Sequence, residues 1–473
     1  MKTLIVHFRS APDRDLKEEL ADADPLDSAG TDGVSLEMAK RQTLLKEMGH
    51  EVAICSAYDW ADFPVPALEF NREQVTMLVR NLYGAGITEF TSEAELRSAF
   101  DASRLELQRQ LRSVIECFAP DLLFIHNIFS LPVHPAATVS LTGLLREKQI
   151  PCAAIHHDML SEGAYKFTPT CDLAKSILSE YYPPSMANIR HWTINTRNKK
   201  ALWDKGVDAK VIHDSMDFEQ RPEPSERARI RAILRAKYGI DSHDVVLFSG
   251  ARIVPNKQTE LAGHLTAAML SLRQEIIGKK LYHGDVFSDK SKVFLVLAGR
   301  PERAFLDYRK NLFELFDTLK IQWSYVGDDV RPHRNIDEGL YALYPDFYTI
   351  ADFVLYPTGW EGFGNQLLEA LAAELPVAVF EYPVFKEDIA PTGVKIVSLG
   401  DKLLPEKDGR GLVKLPYEVL QQAGREIIAI LTSPEVFRSI TDHNVAVGKK
   451  YFSYDVLRAH LRDALQWAKT CNG

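Results

Sequence analysis

Short apolar runs alternate with longer amphipathic segments along almost the whole chain, and this pattern narrows the possible folds more than any other feature. A run of four to six apolar residues bounded by polar ones suits a strand buried on both faces. Such strands belong to parallel sheets, whose crossover helices cover both sides. In the first half the runs are residues 3–8, 51–56, 121–126, 153–157, 191–195 and 210–213. Between the first two, residues 34–48 place apolar or small side chains at Val34, Leu36, Met38, Leu44, Leu45 and Met48, and Gly49 closes the helix. Residues 60–118 read mostly as helix and carry no visible chemistry. A second set of runs begins at residues 244–249 and continues through 293–298, 322–326, 353–356 and 377–380.

The chain of 473 residues exceeds one ordinary core. The charged, proline-bearing stretch 221–235 between the two sets reads as a linker entering a solvated helix. The expectation is α/β with two Rossmann-like parallel-sheet domains, 1–218 and 219–451. The 46% hydrophobic and 26% charged composition is that of ordinary globular domains, so long disorder is not expected. No internal repeat or symmetry between the halves is visible.

A net charge of −9 argues against a general nucleic-acid binder, which needs a basic face to displace counterions. The five cysteines are scattered and never in CxxC spacing, so neither a disulfide framework nor a zinc site is expected, and a reducing cytoplasm fits. The first apolar run is too short for a signal-peptide core. Residues 122–145 lack Asp, Glu, Lys and Arg but include His126, Asn127, Pro132, His134 and Pro135, so no transmembrane segment is expected.

The sharpest chemical signal spans 356–377. A buried strand ends at Tyr356, a glycine-rich loop carries Glu361, Gly362, Phe363 and Gly364, a helix begins near Gly364 or Asn365, and Pro376 leads into the next strand. Ligands of open α/β sheets bind beyond the carboxyl ends of strands, where helix N-termini converge. Backbone N–H groups there favour hydroxyls and phosphate oxygens, and glycines admit close approach. Glu369 lies about one turn inside the helix, with its Cβ tilted back toward the loop. Either glutamate alone reads equally as a helix cap or a solvated carboxylate; together with this context they read as a ligand site.

Residues 250–257 follow the strand ending at Ser249 and carry Arg252 and Lys257. Two cations there suit a diphosphate, Arg as a planar fork and Lys as a point charge, although a solvated pair would look the same in isolation. When a nucleotide-sugar breaks, negative charge grows on the leaving diphosphate, so fixed cations lower the barrier. The other solution is a metal held by an acidic pair, for which the strand-end candidate is Asp328–Asp329. Catalysis without a metal or other cofactor is expected. In the first half, the 30–33 segment with Gly30 and Gly33 opens a helix after strand one, and His157, with His156 beside it, ends another strand. His126, His134 and His191 read as structural.

At these residues the chain resembles the retaining GT-B glycosyltransferases of family 4. The likeness rests on the Glu-Gly-Phe-Gly motif at Glu361 with the second glutamate at Glu369, the Arg252 and Lys257 pair, the loop at 30–33, and Gly49-His50-Glu51-Val52. It implies two domains facing across a cleft, a C-terminal helix at about 452–473 packing back on the first domain, a nucleotide-diphosphate sugar donor and a small-molecule or glycan acceptor. By the same likeness Arg252 and Lys257 bind the donor diphosphate, Glu361 the sugar hydroxyls, and Glu369 the ribose. Gly362, Phe363, Gly364 and Asn365 offer amides, and His157 contacts the sugar near the reacting carbon. The leaving phosphate itself takes the acceptor proton, so no nucleophile is named.

The sequence departs from that family at 213–216 and at Gly299-Arg-Pro-Glu302, followed by a longer excursion through 331–337. UDP-, GDP- and ADP-sugars therefore stay open. The acceptor pocket is expected from loops at 10–31 and 159–184. The alternatives are a nucleotide-sugar epimerase of the same fold and a non-catalytic nucleotide-sugar-binding protein; an NAD oxidoreductase lacks its glycine fingerprint.

Overall fold

A computed structural model describes residues 1–10, 33–160, 167–331 and 334–472. Gly30 and most of the 10–31 loop lie outside the described residues. The chain divides into two compact units, one holding the described residues up to Asp214 together with the stretch from Asp455, the other holding Ser215–Tyr454.

The first unit runs β1 (Lys2–Val6), α1 (Gly33–Glu47), β2 (Glu51–Ser56), β3 (Phe63–Pro64), α2 (Glu73–Leu82), α3 (Glu93–Phe118), β4 (Leu122–His126), α4 (Pro135–Lys148), β5 (Cys152–His156), α5 (Asp172–Tyr181), β6 (Ile189–Thr193), α6 (Thr196–Trp203) and β7 (Ala209–Val211). The sheet is parallel, in the order β3-β2-β1-β4-β5-β6-β7. Its central strands β4 and β5 are buried along their whole length, which is why they read as unbroken apolar runs.

Residues 60–118 are mostly helical, as expected, with two additions: Phe63–Pro64 forms an edge strand beside β2, and the helices α2 and α3 are separated by a turn. Asn81 builds that turn by accepting from the backbone of Thr88 and Glu89. The segment 159–184, expected as loop, contains the helix α5. Residues 122–145 form β4 and α4, and no helix among the described residues is long and apolar enough to cross a membrane.

The second unit runs α7 (Pro224–Lys237), β8 (Val245–Ser249), α8 (Glu260–Ser271), β9 (Val293–Leu297), α9 (Leu306–Thr318), β10 (Gln322–Tyr325), β11 (Val330–Arg331), β12 (Tyr341–Ala342), β13 (Phe353–Tyr356), α10 (Asn365–Ala372), β14 (Val377–Val379), β15 (Val397–Ser398), α11 (Tyr417–Leu431) and α12 (Pro434–Phe452). Its main sheet is ordered β10-β9-β8-β13-β14-β15, with β11 and β12 paired apart from it. The helix α7 is not solvated throughout, contrary to its charge pattern. Arg235 is only 4% exposed, and with Arg231 it donates to both oxygens of the buried Asp352, at 2.6 and 2.5 Å. Burial pushes that carboxyl up, but the two guanidinium groups outweigh it and hold it down at about 2. The ion cluster anchors α7 to the sheet just before β13.

The last helix, α13 (Tyr454–Asn472), belongs from Asp455 onward to the first unit. Arg458 donates to Glu47 of α1 at 2.6 Å, Lys210 to Asp463 at 3.1 Å, and the Arg190 guanidinium lies 4.3 Å from the Trp467 ring centroid.

Candidate functional site

In the second unit, chain direction around the sheet reverses between β8 and β13, the point at which such sheets open a crevice beyond their carboxyl ends. The loop after β8 carries Arg252 and Lys257, and the loop after β13 carries Glu361. The two loops are tied by backbone: Gly359 N–H donates to the Asn256 carbonyl at 2.9 Å, and a Cβ on Gly359 would sit 2.2 Å from Gln258. The loop after β9 joins them, since Ile253 N–H donates to the Arg300 carbonyl at 3.0 Å.

Lys257, 5% exposed, donates from Nζ to Oε1 of Glu361. The same oxygen accepts from the Tyr356 hydroxyl at 2.7 Å. Oε2 of Glu361 takes no hydrogen bond from a described residue. The carboxylate is thus fixed through one oxygen, with a cation beside it, and the other remains available to accept a ligand hydroxyl.

Arg252 is brought to the same loop but not to Glu361. Its guanidinium, half exposed, pairs with Glu302 after β9. Glu302 carries no motif of its own; its signal was its place three residues beyond the close-packed Gly299. Glu369, in the second turn of α10, accepts from the Tyr348 hydroxyl at 2.8 Å through Oε2. Phe363 serves the loop as an anchor: its ring packs edge-on against Phe452 at 5.4 Å, and its carbonyl accepts from Tyr382 at 2.5 Å. Gly364 adopts φ +144°, and a Cβ there would meet the Tyr382 hydroxyl at 2.5 Å, so only glycine fits before the helix starts at Asn365. Gly362 lies between Glu361 and this anchored stretch.

Tyr348, Tyr356 and Tyr382 form a buried layer beneath the motif, and sequence reasoning missed all three as site residues. Burial raises each phenol, and the carboxylates of Glu369 and Glu361 reinforce this, so the hydroxyls stay protonated donors. Their signal was weak, because an aromatic at the end of a buried strand, as Tyr356 is, or near one reads as core. The acidic pair Asp328–Asp329 is engaged elsewhere. Asp329 accepts from Tyr238 at 2.6 Å and pairs with Lys237 at 2.9 Å, and Asp328 accepts from Tyr325. A cluster of Asp241, His243 and Asp244 precedes β8, at the opposite end of the strands.

In the first unit the corresponding reversal falls between β1 and β4. His157 follows β5, 5% exposed, with its backbone N–H donating to Asn127 Oδ1 at 2.8 Å. Its ring does not stand alone: Nε2 lies 2.9 Å from Nδ1 of His126, and the two rings stack. His126, read as structural, is therefore part of the His157 arrangement. His7 Nδ1 lies 2.8 Å from the His126 carbonyl, whereas His156 turns to His191 at 3.0 Å. Gly33 is the exposed first residue of α1.

Burial holds the imidazoles of His126, His156 and His157 well below the ordinary value and takes His134 and His191 down to about 4. The unfolded chain then binds these protons first. Stability is full above about pH 6.5, where both states are neutral, and falls as pH drops toward about 4. The slope reaches about 1.4 kcal/mol per pH unit for each histidine. Thermal melts across this window are expected to fall steeply, and to fall less steeply in His134→Gln; a melting temperature constant across it contradicts the assignment.

A family model described as "Glycosyl transferases group 1" matches residues 230–398. Two relatives named mannosylglucosylglycerate synthase align with most of the chain. The protein of Petrotoga mobilis is 33% identical over 90% of this chain and 97% of its own length. That of Thermotoga maritima is 34% identical over 90% of this chain and 95% of its own. Among solved structures, a glycosyltransferase from Rickettsia africae superposes with a TM-score of 0.58 at 14% identity, covering 99% of this chain and 98% of that one, a likeness of fold.

Proposed function

The chain belongs to the group 1 glycosyltransferases, and from that premise we propose that it moves a mannosyl group from a nucleotide-diphosphate sugar to glucosylglycerate, retaining the anomeric configuration and using no metal ion. The acceptor and sugar are those in the name of the two relatives. The observation that carries the reading is Glu361 held through one oxygen by Lys257 and Tyr356, at the reversal point of the second sheet.

In this reading Lys257 and Arg252 take up the charge that grows on the leaving diphosphate, in a site whose dipoles are already in place before reaction. Glu361 accepts from donor-sugar hydroxyls through Oε2, and Glu369, steadied by Tyr348, binds the ribose. The amides of Gly362, Phe363, Gly364 and Asn365 at the start of α10 face phosphate or sugar oxygens, and His157 contacts the sugar near the reacting carbon. Glu361 shares its charge with a lysine, which suits holding hydroxyls better than attack on carbon. The leaving phosphate accordingly takes the acceptor's proton on the face it departs from. The commitment of Asp329 to Tyr238 and Lys237 supports cation rather than metal catalysis.

The test is a panel of UDP-, GDP- and ADP-activated mannose and glucose, each with and without glucosylglycerate, followed by mass spectrometry and NMR of the product. The expected result is one hexosyl addition from a mannose donor, with donor and product sharing anomeric configuration and a rate indifferent to EDTA. Conversion of the donor's sugar without an acceptor would establish an epimerase instead, and loss of rate in EDTA would overturn the metal-free mechanism.

A further inference from the structure

The first unit buries a guanidinium that uses less than half of its hydrogen-bonding capacity. Arg41 of α1 is 0% exposed. Its Nη1 donates to the Glu37 carbonyl at 3.0 Å and to Glu37 Oε2 at 2.8 Å. Lys40 Nζ takes the other oxygen of Glu37 at 2.5 Å. Nε and Nη2 of Arg41 have no partner among the described residues. These two nitrogens form one edge of the planar guanidinium, the parallel fork that matches the two oxygens of a carboxylate. Buried donors left unmade are costly, and native chains keep them where something else completes them.

The surroundings have the polarity to complete a site. His126 Nε2 and Asp214 Oδ1 are likewise buried without a hydrogen-bond partner among the described residues, and Asp214 Oδ1 lies 4.0 Å from His157 Nδ1. The Arg41 charge acts on His126, His157 and Asp214 alike, so all three lie within its electrostatic reach. Among the described residues of α1 here, one carboxylate faces two cations, leaving an excess of one positive charge. Burial, aided by Glu37, raises the Asp214 carboxyl well above its ordinary value, which weakens it as a competing anion; the three buried imidazoles His7, His126 and His157 supply further polar atoms, and Asp158 is occupied by Asn127 at 2.8 Å.

We propose that the Nε and Nη2 edge of Arg41 binds the carboxylate of the acceptor, making this position the determinant that selects a carboxylate-bearing acceptor over a neutral one. The proposal rests on the reading of the acceptor as a glycosylglycerate, since glycerate is the acceptor part that carries a carboxylate. A site built around a paired fork rejects the ligand that lacks the group, because its donors are then left unpaired.

The experiment compares glucosylglycerate with glucosylglycerol, in which a hydroxymethyl replaces the carboxylate, for the wild type, Arg41→Lys and Arg41→Gln. The wild type is expected to prefer the carboxylate acceptor by about 10²-fold in kcat/KM. Arg41→Lys keeps a charge but loses the fork, and the preference is expected to shrink at least about tenfold, with the change falling on acceptor KM. Calorimetric binding of D-glycerate to the wild type, and its loss in Arg41→Gln, tests the fork without turnover; glycerol is the control. A preference unchanged in both variants, or no wild-type preference, overturns the proposal while leaving the transferase reading intact. Glycerate binding that depends on Arg41 in a protein making no glycosylglycerate product would sink that reading and keep the fork. Should both variants fail to fold, D-glycerate failing to compete with the acceptor in the wild type overturns the proposal, and competition by it but not by glycerol supports it.

Discussion

Lys257→Ala is expected to lower kcat/KM about 10²-fold or more, and Arg252→Ala to do so by a comparable factor, with donor and acceptor at fixed composition. Both remove a cation from the leaving diphosphate, but their structural settings differ, and the difference can be measured. Arg252 is half exposed beside Glu302, a pairing that solvent screens, so its removal is expected to leave the melting temperature near that of the wild type. Lys257 is almost fully buried on Glu361. Its loss leaves a largely buried carboxylate held by Tyr356 alone, and is expected to cost stability on the order of 2 kcal/mol as well. Thermal melts alongside steady-state kinetics separate the two. Wild-type kinetics in both variants would remove the basis for placing the diphosphate here.

Gly299→Ala is expected to destabilise the second unit by on the order of 3 kcal/mol and to depress activity further than the stability loss explains. A Cβ at Gly299 would lie 1.7 Å from the Ala251 carbonyl oxygen and 2.8 Å from the Arg252 nitrogen. Both neighbours are backbone, so no side chain can swing aside. The loops after β8 and β9 would have to part, carrying Arg252 away from its place. Gly409→Ala is the matched control: its Cβ meets nothing within 4 Å, so a change within about 0.5 kcal/mol is expected. Equal melting temperatures for the two variants would mean that the close approach at Gly299 is relieved cheaply, and that the loop contact does not hold the site.

The strands were legible because a strand buried on both faces has to be apolar throughout, as β8 and β9 are. The strands β3 and β15, two residues each, left no such trace, since half of their surroundings is solvent. Charge misled at α7, where Arg231 and Arg235 looked like a solvated face and instead close on Asp352 from 121 and 117 positions away. The two sheets share one strand order around β1 and β8, a repetition that the sequence does not display. Order is set by which strands pair, and pairing joins segments that lie far apart in the sequence.

Local pattern was enough to locate the longer strands, the glycine-rich loop and the residues Glu361, Glu369, Arg252 and Lys257, because periodicity and turn chemistry act over a few neighbours. It could not say that Lys257 meets Glu361 across 104 positions while Arg252 turns to Glu302, nor that Arg41 is buried with two donors unmade. Hydrogen bonds and ion pairs depend on separation through space and on exclusion of water. Those quantities come into being only when distant segments of the chain pack together.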